Sequence, residues 1–405
     1  MPSLNQPLRS TGGSRLTDQP RLDWAQGKFP EPVVGGGSDG AELYRVVETY
    51  AAFGDHLTGS EADSATTEWL ADHLRNLGAT VELPSFEFER YVCTAHLSSG
   101  GEVVPIAPLF YSGYGRWETG NVQVIQLDKS TVAGEPTSLA PLIEGPAGSR
   151  ALALALNGPD DQPVWCNRVP AAQGFPTGPG QPCVIIPSNW ADRVRGDARL
   201  SFDGSLETAS SRNIVATLGS PERRRVTITA PLTGWTSGAG ERGTGIAAAL
   251  ALAQDLATEY YVVLILGSGD ELDHQGTRSY LFANDLSGQP VIHLGAAVGA
   301  VERLPDGDAV LEARRGFLTT ASQARSDGLA RRAAAGRFTL LERQDWPGEA
   351  TTWREVGASL LSFLGTFEHS HLATDQPEVS TTAPALAVAT DAIISTARYF
   401  LDPFN

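Results

Sequence analysis

The segment ITAPLTGWTSGAGERGTGIAAALALAQDLA, from Ile228 to Ala257, carries the pattern that decides the fold of this chain. Its first residues are β-prone and apolar as far as Ala230, and a loop rich in Gly and Ser follows. From Gly245 onward the residues are small and apolar, as in a buried helix. The segment therefore predicts a strand, a loop and a helix in direct succession.

The same alternation continues to the C-terminus. The stretches YYVVLILGSGDE and PVIHLGAAVGA and residues 360–364 are predicted strands, with helices between and after them. This order indicates an α/β fold with a mainly parallel mixed sheet flanked by helices on both faces. Functional sites of such sheets lie at the carboxyl ends of the strands. The loops after Ala230, Ile265, Leu294 and Phe363 are therefore the expected places for chemistry.

The composition changes twice along the chain and suggests three regions. Residues 1–40 are rich in Gly, Pro, Ser and Gln without periodicity, which predicts an N-terminal arm. Residues 91–205 contain short β-like runs separated by Gly and Pro, which predicts an inserted β-rich domain. Residues 41–90 and 206–405 then make up the main α/β domain.

The length, composition and net charge of the chain limit the kinds of binding partner that are expected. The chain has 405 residues, of which 41% are apolar, so it can fill a sizeable core. Its formal net charge of −17 argues against nucleic acid or an anionic membrane as the main partner. No signal peptide or membrane span is apparent, and three dispersed cysteines do not suggest a disulfide framework. The expectation is a cytoplasmic protein acting on a small molecule or short peptide, with homo-oligomerisation left open.

The most promising catalytic stretch is LGSGDELDHQGTRSYL, which follows a buried strand. Asp270 and Glu271 stand side by side at the strand end, and Asp273 and His274 come directly after them. Adjacent carboxylates at such a place suit general acid–base work or a metal ligand beside a base. An acidic first turn of a helix would also produce this pattern, because acids there interact favourably with the helix dipole.

A second group of polar residues follows the strand at 360–364. The loop FLGTFEHSHLATDQPEVS holds Glu368, His369, His371 and Asp375, so imidazoles alternate beside carboxylates that can orient them. This grouping at a strand end predicts a site, with His371 as a catalytic group and His369 near the substrate.

Further candidates lie in the loop that opened this section and in a later segment. Glu241, the one carboxylate of SGAGERGTG, is a catalytic candidate, and Arg242 beside it can either balance its charge or bind a substrate carboxylate. Trp346, Glu349 and Trp353 would line a substrate wall if their segment covers the site, although aromatic residues in such patterns belong to the core equally often.

The order of these elements resembles the zinc aminopeptidase family, which includes secreted aminopeptidases, glutamate carboxypeptidase-like enzymes and glutaminyl cyclases. The similar stretches are HLTGSEADSATTEWLADHLRNLGATVE, SRNIVATLGS, GAGERGTGIAAALALAQDL, GSGDELDHQGTRSYL and HLATDQP. The resemblance runs from about residue 41 to the C-terminus. It implies a zinc-exopeptidase-like fold, with the β-rich insertion similar to a protease-associated domain, and hydrolysis of a peptide-like C–N bond.

The resemblance also assigns roles to individual residues. Glu241 stands at the position of the metal-bridging aspartate, and Asp270 at that of the catalytic glutamate. Glu271 and His371 match metal-binding positions of the family. With His274 recruited, Glu271, His371 and His274 would be the ligands of a single metal ion.

Other metal positions of the family are replaced in this chain. Its first His-x-Asp pair is Pro231-Leu232-Thr233, and the aspartate expected near Gly295 or Ala296 is absent. Three alternatives stay open at this point. The chain is a hydrolase with a rebuilt site holding one divalent metal such as zinc, a metal-independent acid–base enzyme using the same Asp, Glu and His residues, or a non-catalytic ligand-binding protein.

Overall fold

The computed structural model describes residues 38–127, 151–156, 162–167, 180–303, 309–311, 314–342 and 346–402. The predicted arm at 1–40 lies almost entirely outside the described residues. Among the helices of the described part, none combines the length and the apolar character that crossing a membrane requires.

The strands of the described residues are numbered in chain order: β1 (Thr80–Glu82), β2 (Ser85–Ser99), β3 (Glu102–Val104), β4 (Ala107–Phe110), β5 (Gly115–Thr119), β6 (Val122–Leu127), β7 (Ala151–Leu156), β8 (Cys166–Asn167), β9 (Cys183–Pro187), β10 (Arg199–Arg212), β11 (Ile214–Leu218), β12 (Arg225–Pro231), β13 (Tyr261–Gly267), β14 (Pro290–Leu294), β15 (Val301–Arg303), β16 (Ala309–Leu311), β17 (Gly316–Thr319), β18 (Thr339–Leu340) and β19 (Ser359–Leu364). The α-helices are α1 (Gly40–Ala52), α2 (Glu61–Asn76), α3 (Thr244–Leu256), α4 (Gln275–Ala283), α5 (Gln323–Ala333), α6 (Ala350–Glu355), α7 (Pro377–Ser380) and α8 (Ala383–Leu401).

An eight-stranded mixed sheet forms the centre of the main domain, in the order β1-β11-β13-β12-β14-β19-β17-β18. The four central strands β13, β12, β14 and β19 run parallel, and β11 and β17 flank them in the antiparallel sense. The predicted mainly parallel mixed sheet is confirmed. As a result, the loops after β12, β13, β14 and β19 leave from the same edge.

Helices cover both faces of this sheet, as the apolar strands predict. One core packs α1, α2, α3, α5 and α8 against the sheet, and it contains fully buried Ile228, Leu264 and Phe363. A second core on the other face packs α4 and α6 against Val263 and Leu360. Neighbouring residues of one strand point to opposite faces, so a continuous apolar run satisfies both cores.

The insertion is a β-rich module made of two sheets. Its long strands β2 and β10 pair along their whole length, from Ser85 with Arg212 to Ser98 with Arg199, and they connect it to the main domain. The strand pair therefore begins before residue 91 and ends after residue 205, because the ribbon extends into the main domain. The second sheet has the order β6-β7-β9-β4-β8. Cys93, Cys166 and Cys183 are free thiols.

Candidate functional site

Three of the four loops at the carboxyl edge of the parallel strands carry the predicted catalytic groups. Glu241 follows β12, Asp270 and Glu271 follow β13, and His371 follows β19. Parallel strands bring their carboxyl ends to one edge, so residues far apart in sequence meet there.

A single π-helical turn, Ala239–Gly243, places Glu241 at this edge. Asp375 fixes the turn, because its carboxylate accepts the N–H groups of Gly240 at 2.6 Å and of Glu241 at 3.0 Å. Burial raises the pKa of Asp375 to about 7. Short π-helical segments are often found at functional sites. The sequence placed Asp375 beside His371, but only the structure shows that its partner is the loop after β12.

His371 is held against Glu241 by its backbone and its ring. Its N–H donates to Glu241 Oε2 at 3.2 Å, and its ring Nε2 lies 3.3 Å from Oε1 of the same carboxylate. The backbone of His371 is left-handed, with φ 63°. The side chain of His371 remains 25% exposed, although its ring Nδ1 is buried.

Arg242 joins this pair to a second carboxylate and imidazole. The guanidinium Nη2 lies 3.1 Å from Glu241 Oε1 and also donates to Asp270 Oδ2. The other oxygen of Asp270, Oδ1, lies 3.2 Å from Nδ1 of His274. These contacts fit charge balance, one of the two roles that the sequence left open for Arg242.

The turn after β13 holds the second imidazole, that of His274, in an unusual backbone conformation. Asp273 and His274 are both left-handed, with φ 59° and 57°, an arrangement that costs energy in residues with a side chain. Asp270 and His274 therefore meet through this irregular turn rather than on one face of a regular helix.

We define the bridged network as the series His371–Glu241–Arg242–Asp270–His274. Burial alone would raise the pKa of Glu241, but the charges of His371 and Arg242 lower it to about 2. For Asp270, Arg242 likewise outweighs burial and holds the pKa below its ordinary range. Burial lowers the pKa of His274, yet contact with Asp270 outweighs this and raises it. The carboxylates are therefore ionised at neutral pH, and the pKa of His274 lies above its ordinary value.

Glu271 has a separate set of partners from the bridged network. Its Oε1 accepts the N–H of Thr58 at 2.6 Å, and its Oε2 accepts the hydroxyl of Thr233 at 3.3 Å. Thr233 Oγ1 also accepts the N–H of Gly269 at 2.9 Å. Thr233, at a metal-binding position of the resembled family, thus organises the turn after β13. Thr58 is not among the residues that the sequence predicted for the site.

The environment of Glu271 predicts a pH-dependent stability. Burial raises the pKa of Glu271 from 4.5 to about 7. Its contribution to the free energy of unfolding is therefore complete below pH 4.5 and is lost as the pH rises through 7. We expect Glu271→Gln to lose this part of the pH dependence, up to a bound of about 3–4 kcal/mol at 1.4 kcal/mol per pKa unit. Urea unfolding of both proteins between about pH 5 and about pH 8 measures it; parallel stability curves would contradict the expectation.

The residues at this edge do not fit a metal site. Within the described residues, no group of three or more His, Cys, Asp or Glu side chains is arranged to hold a metal ion. The ligands predicted from the sequence, His371, His274 and Glu271, contact Glu241, Asp270 and the Thr58 backbone respectively. Between the two ionised carboxylates lies Arg242, whose charge compensates theirs.

The remaining predicted substrate-binding residues are not part of the bridged network. Trp353, in α6, is completely buried and Trp346 is 5% exposed, and both belong to one apolar core. Glu349 is also interior at 3% exposure, with its Oε2 3.3 Å from His293 Nε2. His369 shares the loop of His371, but its Nδ1 contacts Thr374 Oγ1 at 2.9 Å.

Comparison with solved structures identifies proteins that share this fold. A zinc aminopeptidase from Bacillus subtilis is 17% identical with a TM-score of 0.67, over 89% of this chain and 94% of its own. A family M28 peptidase precursor from Shewanella amazonensis is 15% identical with a TM-score of 0.65, over 89% and 92%. An aminopeptidase from an Aneurinibacillus species is 14% identical with a TM-score of 0.58, over 89% and 93%.

These similarities establish the fold. The chain has the fold of the zinc aminopeptidases, as the resemblance in the sequence implied. No protein-family model and no curated protein matches the sequence.

Proposed function

We propose that this protein is a metal-independent acid–base enzyme that acts on an amide-like C–N bond of a small amino-acid-derived substrate. One observation carries the proposal, namely the bridged network, in which two imidazoles each contact a carboxylate and one guanidinium joins both carboxylates. A carboxylate that contacts a ring nitrogen orients the imidazole and stabilises its charged form.

The charges of the network favour one acid and one base. Glu241 and Asp270 contribute two negative charges and Arg242 one positive charge, so protonation of a single imidazole makes the network neutral. The raised pKa of His274 makes it the proposed acid. His371 is then the proposed base, and its Nδ1 is buried without a hydrogen-bonding partner in the described residues.

An acid and a base at one site suit the cleavage of a C–N bond. A nucleophile, either water or an amine of the substrate, loses a proton to His371 as it attacks the carbonyl carbon. The C–N bond then breaks, and the leaving nitrogen takes a proton from His274. Positioned general acids and bases contribute about 10²- to 10⁴-fold each to such reactions. Peptide-like substrates are suggested by the aminopeptidases that share the fold.

The zinc-dependent alternative has less support in the geometry. Arg242 already supplies a positive charge between Glu241 and Asp270. Both oxygens of Glu271 already accept hydrogen bonds. A metal ion would have to displace these contacts before it could bind several of the side chains at once.

Removal of metal is expected to leave the activity of this protein unchanged. Protein purified without added metal and dialysed against a chelator is expected to contain far less than one metal ion per chain. It should keep full turnover on a panel of free and N-blocked amino-acid anilides and short peptides. Elemental analysis and rate measurement before and after dialysis check this, and a zinc-dependent aminopeptidase treated in parallel verifies metal removal.

The same experiment separates the alternatives. Activity that disappears with the chelator and returns with zinc would overturn the metal-independent proposal in favour of a rebuilt metal site. Thermal stabilisation by members of the panel without any turnover would instead support a non-catalytic binding protein.

A further inference from the structure

We infer that the inserted β module positions the candidate site through one of its edges. This module edge consists of β4, β8 and the adjoining Trp165, and it contacts the loops after β12, β13 and β19. A catalytic role for this positioning rests on the proposed function. The contacts between the module edge and the three loops do not depend on it.

The first of these contacts involves the loop that carries His371. The N–H of Trp165 donates to the carbonyl oxygen of His371 at 2.9 Å. The next residue, Leu372, is completely buried and belongs to the apolar core of the module. Its companions in that core include Leu109, Leu154 and Cys166. A residue of the main domain therefore completes the core of the insertion, directly beside the proposed base.

The other two loops are joined to the same edge. The side-chain amide of Asn167 donates to the carbonyl oxygen of Glu271 at 2.7 Å, which ties the turn after β13 to the module. Phe110 packs against Trp235 of the loop after β12, with 5.1 Å between ring centroids. Trp235 in turn lies beside the His371 ring, at 6.3 Å between centroids. A single edge thus contacts every loop that contributes to the bridged network.

His371 needs such support because of its backbone. A left-handed backbone is disfavoured for a residue with a side chain, so surrounding contacts must stabilise it. On one side Leu372 is fixed in the module core. On the other, Asp375 binds the backbone of the Glu241 turn. These two anchors determine where the His371 ring meets Glu241, which makes Leu372 a positioning residue.

Leu372→Ala tests the inference, with Leu154→Ala as the matched control. Both substitutions remove the same atoms from a completely buried leucine of the same core. We expect both to lower the melting temperature, but only Leu372→Ala to accelerate amide exchange at His371, by about tenfold or more, because local opening frees that N–H from Glu241. The ring resonance of His371 should also shift in this variant alone, with His293 as an internal reference. Leu372→Met, which refills the volume, should restore both signals.

Two results of these measurements would contradict the inference. If Leu372→Ala leaves the His371 signals unchanged, or if Leu154→Ala alters them equally, the module does not position His371 through Leu372. Nuclear magnetic resonance and amide exchange need no substrate, so this result is independent of whether the proposed activity exists. Where turnover is found, Leu372→Ala is expected to lower kcat more than it changes KM.

Discussion

Glu241→Gln is expected to lower kcat by about 10²- to 10⁴-fold, in the range by which a positioned acid–base group contributes. Glu241 accepts the His371 N–H and lies 3.3 Å from the ring Nε2. The amide has nearly the same shape, but it carries no charge and presents an NH₂ group that can face the ring. The imidazole would then lose the charge that stabilises its protonated form. Steady-state kinetics on the best substrate of the panel measures the effect.

The exposed Glu368 provides the matched control for this experiment. It lies in the same loop as His371, and Glu368→Gln makes the same chemical change at a position outside the bridged network. We expect this variant to keep turnover close to that of the unaltered protein. Equal rates for Glu241→Gln and the unaltered protein would show that His371 does not act through Glu241. The proposed mechanism would then be wrong.

Arg242→Met is expected to destabilise the protein by about 3–5 kcal/mol, the range seen when one partner of a buried ion pair is removed. The side chains of Arg242, Glu241 and Asp270 are 7%, 5% and 15% exposed, so water screens the remaining carboxylates only weakly. Chemical unfolding at neutral pH measures the loss. The loss should shrink at acidic pH, where protonation of a carboxylate relieves the repulsion.

Arg278→Met is the comparison for this second substitution. Arg278 also contacts two carboxylates, those of Asp273 and Glu355, but its side chain is 37% exposed. Exposed pairs of this kind contribute about 0–1 kcal/mol, so a small change is expected. If Arg242→Met were no more destabilising than Arg278→Met, Arg242 would not be the cation that compensates Glu241 and Asp270.

The order of strands and helices could be predicted from the sequence because it depends on local patterns. Continuous apolar runs such as Tyr261–Gly267 must be buried on both faces, which requires a parallel sheet with helices on either side. The same rule located the carboxyl edge and the loops that hold Glu241, Asp270 and His371. The residue types in those loops indicated acid–base chemistry, since imidazoles and carboxylates are the usual groups for it.

The pairing of these groups depended on the tertiary structure. Glu241 and His371 are 130 positions apart, and Arg242 and Asp270 are 28 apart, so no local pattern encodes their contacts. The carboxylate of Asp375 binds the backbone of a turn 134 residues earlier in the chain. Trp346 and Trp353 could belong to either a substrate wall or the core, and only packing placed them in the core.

By itself, the sequence determined the α/β sheet, the sheet edge that carries the candidate site and the kinds of side chain available there. It could do so because hydrophobic periodicity and strand order are properties of neighbouring residues. The tertiary structure decided that Arg242 compensates two buried carboxylates, that each carboxylate faces one imidazole, and that the β module holds the loop of His371. These features arise from contacts between distant loops, whose geometry is fixed only when the sheet edge and the inserted module pack together.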